Sequence, residues 1–349
     1  MQHHAAIHLT NMRTLLHLEE TFGKHLPDVP FIFTTSDTPR HVSPTIVNTS
    51  HPTLPSGPVP GMPSTKGARA SFAPPPYPIM GICKSDFWPD LLLVPNFHFY
   101  NKNYDNTSLG AIPEYARIPW EERKEVLFGR FTDYQLHRVP RDRSTMKLGI
   151  GGKADVCRDK GVSCPTRTYF MERVATKNPG RIDVSAAAKR PLLHHASIKY
   201  LANMEGQGIS SRLEQLLPIG SLVFKEASGY YAYYYRTLLK PGVNMLEFWA
   251  HGSGPEDVLE KLDWARENDD KARRIAAAGV KTAATYLTAN GRACYWYRLL
   301  HGLSRSLAYT PSLDQWPQAQ PLREVVAELE ARRDRDPWVR DVVEEPWAP

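Results

Sequence analysis

The chain has 349 residues, of which 42% are hydrophobic and 23% are charged. This composition is typical of a globular protein of one or two domains, and it excludes a small scaffold that depends on disulfides. The 43 lysines and arginines exceed the 37 acidic residues, giving a net charge of +6. That excess favours an anionic partner such as a phosphate, a nucleotide or an acidic membrane, but is too small to predict nucleic-acid binding.

No stretch approaches the roughly 18 consecutive apolar residues of a membrane-spanning helix, so the sequence predicts no membrane span. The first residues lack the basic start and continuous apolar core of a signal peptide, and none is predicted in this sequence. Of the four cysteines, Cys157 and Cys164 enclose a short segment that could close into a disulfide-bonded loop, but free thiols fit the spacing equally well. No pair has the CxxC spacing of a zinc site.

In chain order, the first predicted elements are a helix and a short strand. Apolar residues from Leu15 onward repeat at helical spacing, and the apolar FIF segment ending at Phe33 is typical of a short buried strand. Asp37 follows this strand directly. Residues 38–80 are rich in proline, serine, threonine and glycine, which predicts a loop or disordered insertion. The segments DLLLVP and EVLF predict two further strands.

The region after Pro191 has the most regular pattern. LLHHASIKYLANM predicts a strand, GQGI a loop, SSRLEQLLPIG a helix and SLVFKEA a second strand. This order usually forms a right-handed crossover between parallel strands, so the sequence predicts an α/β fold. A later helical region is predicted to end at Gly291, and the C-terminal LREVVAELEARRDRDPW predicts a charged amphipathic helix with a solvated face.

The loop before the SSRLEQLLPIG helix has the features of an anion site. Gly206 and Gly208 permit a tight turn, and Ser210 or Ser211 could cap the helix, whose free N–H groups would face the loop. Arg212, in the first turn, adds planar N–H groups that suit phosphate oxygens. A plain glycine turn with a solvent-exposed arginine has the same spacing, because the sequence matches neither GxGxxG nor a P-loop.

Two other segments carry candidate site residues. Arg130 and Arg143 belong to an arginine-rich segment after a predicted strand, and they could flank a diphosphate or lie in a solvated basic loop. Asp37 precedes a Thr-Pro pair at the end of a strand, where desolvation could raise its pKa and make it a general base. A turn-forming aspartate has the same pattern.

These segments together resemble a known family. The order LPDVPFIFTTSDTPR, WPDLLLVPNFHF, PWEERKEVLFGR, RDR, HHASIKYLANMEGQGISSRLEQLLPIGSLVFK, YYRTLLKPGVNMLEF and EDVLEKLDWARENDDKARRIAAAG is similar to that of the capsule-associated and Rumi-type protein O-glucosyltransferases, glycosyltransferase family 90. The resemblance extends from about Leu15 to Leu303. Its most specific part is the KYL to GSLV block.

The resemblance implies an α/β fold of two Rossmann-like domains in the glycosyltransferase-B arrangement, with a UDP-sugar in the cleft between them. On this basis 1–118 would form the acceptor-side domain, 119–310 the UDP-sugar-binding domain and 311–349 a helical tail. Asp37 matches the family's general base, and Arg212 matches the arginine that binds the diphosphate. The remaining predicted UDP-sugar-binding residues are Gly206, Gly208, Ser210, Ser211, Lys199, Arg130 and Arg143.

The activity that the resemblance implies is an inverting transfer of glucose or xylose from a UDP-sugar to a hydroxyl of a protein Ser or Thr, or of a glycan. No metal or other cofactor is expected, and the expected partners are the UDP-sugar and a protein or glycan acceptor. The alternative is a non-catalytic relative that binds a nucleotide sugar or a glycan. The family implies residence in the endoplasmic reticulum or Golgi lumen. An oxidoreductase is disfavoured, since GxGxxG is absent.

Overall fold

The computed structural model describes residues 3–39, 78–88, 91–138, 142–157, 163–335, 337–344 and 347–349. Most of the predicted insertion at 38–80 lies outside these residues. Within them the strands are Ile32–Phe33 (β1), Ile79–Gly81 (β2), Leu91–Leu93 (β3), Lys124–Arg130 (β4), Leu136–His137 (β5), Ser163–Cys164 (β6), Ile182–Ser185 (β7), Ile198–Asn203 (β8), Leu222–Glu226 (β9) and Leu246–Phe248 (β10).

The helices of the same residues alternate with these strands and continue beyond them. They are His3–Phe22 (α1), His98–Asn101 (α2), Ile112–Tyr115 (α3), Thr166–Phe170 (α4), Leu192–Ala196 (α5), Arg212–Leu216 (α6), Tyr235–Leu238 (α7), Asp257–Glu267 (α8), Asp269–Tyr286 (α9), Ala289–Ser306 (α10), Leu322–Ala331 (α11) and Pro337–Glu344 (α12). No helix in the described ranges is long and apolar enough to cross a membrane.

The first of two parallel sheets has the strand order β1-β2-β3, which confirms the predicted FIF and DLLLVP strands. Its apolar side chains pack against α1 and α10, with Met80 beside Trp296 and Leu300 in one buried cluster. The helix α10 falls inside the range 119–310 yet contributes to the core of the N-terminal sheet. The division of the chain into domains therefore stays a prediction.

The second sheet is fully parallel, with the order β10-β9-β8-β4-β7. Counted within this unit, the order is 2-1-3-4-5, that of a doubly wound sheet. In such sheets the connections leave toward opposite faces at one point, here between β4 and β8, and ligands bind in the crevice beyond the carboxyl ends of those strands. The α/β fold with parallel sheets is thus confirmed, and the fold itself marks one edge for a site.

Helices cover both faces of this second sheet. On one face, Phe170 of α4 and Leu262 of α8 pack against strand residues such as Leu127. On the other, Ala196 of α5 and Leu213 of α6 pack against residues that include Phe128. Because Leu127 and Phe128 are neighbours on β4, the alternation of a strand sends them to opposite faces, and both faces are apolar.

Several predicted boundaries were wrong. The segment predicted as one long strand begins instead with α5, where Nδ1 of His195 lies 2.9 Å from the Pro191 carbonyl oxygen, and the strand starts only at Ile198. The helical region predicted to end at Gly291 ends at Tyr286. Gly291 lies in α10, because Thr288 caps that helix by accepting a bond from the Gly291 N–H at 3.1 Å.

The N-terminal helix differs from the prediction, the C-terminal helix agrees with it, and the structure decides the cysteine pairing. The N-terminal helix begins at His3 rather than near Leu15. The C-terminal α11 is amphipathic as predicted, and Val326 on its buried face packs with Leu9 of α1. Cys157 and Cys164, whose pairing the sequence left open, form a disulfide with their Cα atoms 4.7 Å apart.

Candidate active site

The loop between β8 and α6 lies at the edge that the strand order marks. β8 ends at Asn203, and α6 begins at Arg212, as predicted. Ser211 occupies the N-cap position, but its side chain makes no capping hydrogen bond, so the predicted serine cap is wrong. The α-helix ends at Leu216, and so few aligned peptide groups supply little positive potential. Any anion bound here must be stabilised mainly by side chains.

A buried carboxylate holds this loop in place. Glu205 is fully buried, and its Oε2 accepts a hydrogen bond from the backbone N–H of Ser210. Its Oε1 lies 2.9 Å from Nζ of Lys225, at the end of β9. Burial raises the pKa of Glu205, while Lys225 and the Ser210 N–H favour the charged form and oppose that rise. One carboxylate thus ties the turn to the neighbouring strand.

Further charged groups fix the start of the loop. Glu226 accepts a hydrogen bond from the Glu205 N–H at 3.0 Å and pairs with Nζ of Lys147 at 2.8 Å. Arg167 donates to the carbonyl oxygens of Met204 and Glu205, both at 2.9 Å. Burial lowers the pKa of Lys147 and of Arg167, although the nearby glutamates oppose the shift. The Met204 and Glu205 carbonyl oxygens and the Glu205 N–H are therefore all held by charged side chains.

Asp37 meets the same loop from the N-terminal sheet. A Cβ placed on Gly208 would lie 2.6 Å from the Asp37 carbonyl oxygen and 2.8 Å from Sγ of Cys83, so only glycine permits this approach. The Cys83 thiol donates to that oxygen at 3.0 Å. Asp37 itself is exposed. Burial raises the pKa of Cys83, and Asp37 and Glu205 add to the rise. Asp37 and the Gly208 loop, both predicted site elements, are therefore in contact.

Arg212 is half-buried, and burial lowers the pKa of its guanidinium, which nonetheless stays charged near neutral pH. Arg167 lies close enough for the two guanidinium groups to repel each other, which lowers the pKa of Arg167. Among the residues that the structure describes, no hydrogen bond or ion pair engages the Arg212 guanidinium. Its N–H groups are therefore available to an anion.

Arg130 lies at the same edge but is already engaged. It ends β4, and its guanidinium lies 4.3 Å above the centre of the Phe128 ring. Its NH2 group contacts the Asp183 carboxylate oxygens at 2.7 and 2.9 Å. A direct bond to a diphosphate would require this ion pair to open.

The predicted site residue Lys199 lies at the opposite end of the sheet from the candidate site. Its Nζ binds Glu125 at 2.7 Å and Asp269 at 3.0 Å, and it lies near the amino end of β8. At about 3.3 Å per strand residue, the four steps to Asn203 place its Cα some 13 Å from the carboxyl edge. The predicted role of Lys199 in UDP-sugar binding is not supported, because its charge is neutralised at the opposite end of the sheet.

A cleft of about 490 Å³ opens at the carboxyl ends of β9 and β10. Arg143, one of the predicted site residues, lines it. The other wall residues include cationic and aromatic side chains, among them Lys225, Tyr230, Tyr231, Tyr235, Arg236 and His251. Lys225 lines the cleft and also pairs with Glu205, which holds the loop before Arg212. This ion pair therefore connects the wall of the cleft to the loop.

A second, smaller cavity of about 380 Å³ is lined in part by the loop. Thr38, next to Asp37, and Gln207, between the two glycines, both line it. Its other lining residues are nearly all polar: Asp133, Tyr134, Gln135, His137 and Ser163. The loop before Arg212 therefore contributes to the wall of a polar cavity beside Asp37, and Glu205 connects it to Lys225 in the wall of the cationic, aromatic cleft.

Sequence reasoning missed Glu205, Lys225 and Glu226. Their signal was present, since charged residues stand at or directly after the ends of two consecutive predicted strands, in the segments MEG and FKEA. The carboxyl ends of parallel strands meet at one edge, so these charges could have been placed together. Within the described residues, no group of three or more His, Cys, Asp or Glu side chains could hold a metal ion.

Comparisons with known proteins agree with this architecture. The family model described as Glycosyl transferase family 90 matches residues 157–346. Protein O-glucosyltransferase 2 of Danio rerio is 37% identical over 115 residues, which cover 31% of this chain and 22% of that protein. The O-glucosyltransferase rumi of Drosophila pseudoobscura pseudoobscura is 28% identical over 217 residues, covering 60% of this chain and 48% of that protein. The matches thus span less than half the length of these relatives.

One solved structure, that of Anabaena Alr3699/HepE in complex with UDP, is 13% identical, with 64% of each chain covered and a TM-score of 0.37, which is too low to bear on function. The match to the family model is different in kind, because it extends over more than half of the 349 residues and contains the whole segment from β8 to β10. The chain belongs to glycosyl transferase family 90.

Proposed function

We propose that this chain is an inverting glycosyltransferase that moves glucose or xylose from a UDP-sugar to a hydroxyl group of a protein or glycan. The observation that carries the proposal is the contact between Gly208 and Asp37. It joins the candidate base to the loop that leads into Arg212, at the edge where a doubly wound sheet binds its ligands. Relatives named protein O-glucosyltransferases favour glucose and a protein hydroxyl.

The nucleotide would occupy the larger cleft. Its lining supplies tyrosine rings on which a uracil base can stack, and the cationic groups of Arg143 and Lys225 suit a diphosphate. Arg212 would meet the phosphate nearest the sugar. Together these side chains would offset the charge on the leaving UDP, so the reaction requires no metal ion.

The acceptor would enter through the smaller cavity, whose residue Thr38 directly follows Asp37. The Asp37 carboxylate takes the proton from the acceptor hydroxyl as that oxygen attacks the anomeric carbon. The new carbon–oxygen bond forms on the face opposite UDP while the bond to the UDP oxygen breaks, so the configuration inverts. UDP leaves with the electron pair, and Asp37 returns its proton to solvent.

The proposed location is the lumen of the endoplasmic reticulum or Golgi. The disulfide between Cys157 and Cys164 supports it, because such bonds persist in oxidising compartments. A lumenal location would also expose the site to secreted and membrane proteins during their synthesis, which are acceptors of the proposed kind.

The test is UDP release from UDP-glucose and UDP-xylose, with and without acceptors, together with calorimetric UDP binding. Asp37→Asn should lower turnover on the order of 100-fold or more and leave UDP affinity within about twofold, since a general base acts only on the reaction. Arg212→Ala should weaken UDP binding by about tenfold or more, as expected for a lost charged hydrogen bond. Asp28→Asn and Arg117→Ala are matched controls, because both side chains are exposed and neither lines the two cavities.

UDP binding without turnover in the presence of acceptors would favour the alternative, a nucleotide-sugar-binding protein without activity. Absence of UDP binding by the wild-type protein would reject the assignment of the site.

A further inference from the structure

We propose that Glu205 is a positioning residue, whose carboxylate sets the conformation of loop 206–211 and so aims Arg212 at the diphosphate. This inference rests on the proposed function, since it concerns how the UDP-sugar site is built. Glu205 does not touch the ligand. Its side chain is fully buried, and it acts through Ser210 and Lys225.

The two oxygens of Glu205 have separate partners. One accepts a hydrogen bond from the Ser210 N–H, two residues before Arg212. The other pairs with Nζ of Lys225, which lines the larger cleft. A single carboxylate therefore fixes both the backbone that carries Arg212 and a cation in the wall of the cleft. The hydroxyl of Tyr235 lies 3.5 Å from the same carboxylate and adds a third contact.

The buried charges around the Glu205 carboxylate determine what its removal would do. Lys147, Lys225 and Arg167 are buried there, against the two carboxylates of Glu205 and Glu226. Without Glu205, three cations would face one carboxylate, and a buried cation without its partner is strongly unfavourable. Lys225 would lose the partner that fixes its Nζ in the wall of the cleft, and the Ser210 N–H would lose its acceptor. Both changes move groups that the UDP-sugar is proposed to meet.

Glu226 shows why the role belongs to Glu205. Its carboxylate also lies in this cluster, but it bonds to the Glu205 N–H and to Lys147, both outside the loop 206–211. Of the two carboxylates, that of Glu205 is the one that bonds to the turn, at the Ser210 N–H, while the His137 N–H donates to the Gln207 carbonyl oxygen at 2.7 Å.

The experiment compares Glu205→Gln and Glu205→Asp with the wild type and with Glu214→Gln. Glu214 is a matched control, because it is a buried glutamate of α6 whose Oε2 accepts a bond from the Tyr234 hydroxyl, outside the loop 206–211. Calorimetric UDP affinity, the kcat and KM for UDP-glucose, thermal unfolding and hydrogen exchange of the 206–211 segment are measured for each. The wild-type values test the proposed function, and the variants test Glu205.

Glu205→Gln should weaken UDP binding and raise KM by about tenfold or more, because a charged buried contact is lost. The same substitution should change kcat by a smaller factor than it changes KM. It should also speed hydrogen exchange in 206–211 more than in α9. Glu205→Asp keeps the charge but is one methylene too short to reach both partners, so its UDP affinity should lie between those of Gln and wild type, at least about threefold below the latter. Glu214→Gln should leave UDP affinity within about twofold.

UDP affinity within twofold of wild type in a folded Glu205→Gln protein would overturn the proposal. If that variant does not fold, Glu205→Asp decides in the same way. Hydrogen exchange separates the two proposals, because a loop that opens in Glu205→Gln supports the positioning role even if the wild type binds no UDP, and a loop that does not open contradicts it.

Discussion

Gly208 and Asp37 approach so closely that the Asp37 carbonyl oxygen occupies the space that a side chain on Gly208 would need. The glycine belongs to the loop before Arg212 and the aspartate to the end of the N-terminal sheet. Their contact sets the distance between the proposed general base and the proposed leaving-group site. Glycine at this position is therefore required by the contact with Asp37 and Cys83, whereas the backbone φ of Gly208 lies outside the left-handed region and by itself would admit another residue.

Gly208→Ala should disturb both folding and activity. The added methyl group would lie 2.6 Å from the Asp37 oxygen and 2.8 Å from Sγ of Cys83, so the two segments must separate. We expect a loss of about 1–3 kcal/mol in the free energy of unfolding, as for overpacked sites. A displacement near 1 Å also predicts a fall in turnover on the order of 100-fold. Chemical denaturation and UDP release measure the two effects.

Gly180→Ala is the matched control, since a Cβ at Gly180 meets no atom within 4 Å. It should change stability and turnover little. Equal effects of the two substitutions would contradict the close contact.

The buried carboxyl group of Glu214 should make stability depend on pH. Desolvation is the main cause that raises its pKa from 4.5 to about 8. Between these values the folded protein holds a proton that the unfolded chain has released, so the stability contributed by this group is full below pH 4.5 and is lost as pH rises to about 8. The total is at most about 5 kcal/mol.

Glu214→Gln removes this titration. The free energy of unfolding of the variant minus that of the wild type should therefore increase from pH 5 to pH 8.5 in urea denaturation. Glu260→Gln, on the exposed face of α8, should show a constant difference. A constant difference for Glu214→Gln as well would show that its carboxyl group titrates normally.

The sequence predicted the elements whose signals are local. Strands β8 and β9 and the start of α6 at Arg212 followed from apolar runs, glycines and spacing, and the structure confirms them. The sign of a charge is equally visible in the sequence, but its partner is not. Lys199 is a charged residue of β8, and Glu205 is a charged residue of the loop that follows it. Only the folded structure shows that Lys199 pairs with Glu125 at the far edge of the sheet while Glu205 bonds to the Ser210 N–H.

Boundaries failed for a related reason. The serine cap was predicted from residue type, yet no side-chain cap forms at Ser211, and the buried carboxylate of Glu205 bonds the neighbouring Ser210 N–H. The break before α10 depends on the Thr288 cap, a feature that the surrounding helix-forming residues conceal. The resemblance to the family supplied the role of Asp37, since an aspartate before Thr-Pro by itself indicates only a turn.

The disulfide between Cys157 and Cys164 should stabilise the fold by a measurable amount. The two cysteines are 7 positions apart, and closing so short a loop contributes about 2.5 kcal/mol through the entropy of the unfolded chain. Both cysteines are buried beside Leu136 of β5. That strand pairs with β6, and His137 and Ser163 of this strand pair line the smaller cavity. A reductant should therefore lower the melting temperature of the wild type, and acceptor-dependent turnover should fall more than UDP binding.

The double variant C157S/C164S should melt at the temperature of the reduced wild type, with or without reductant. The variant C294S, which removes an exposed free thiol, should respond to the reductant like the wild type. An unchanged melting temperature after mass spectrometry has confirmed complete reduction would show that the bond adds no stability here.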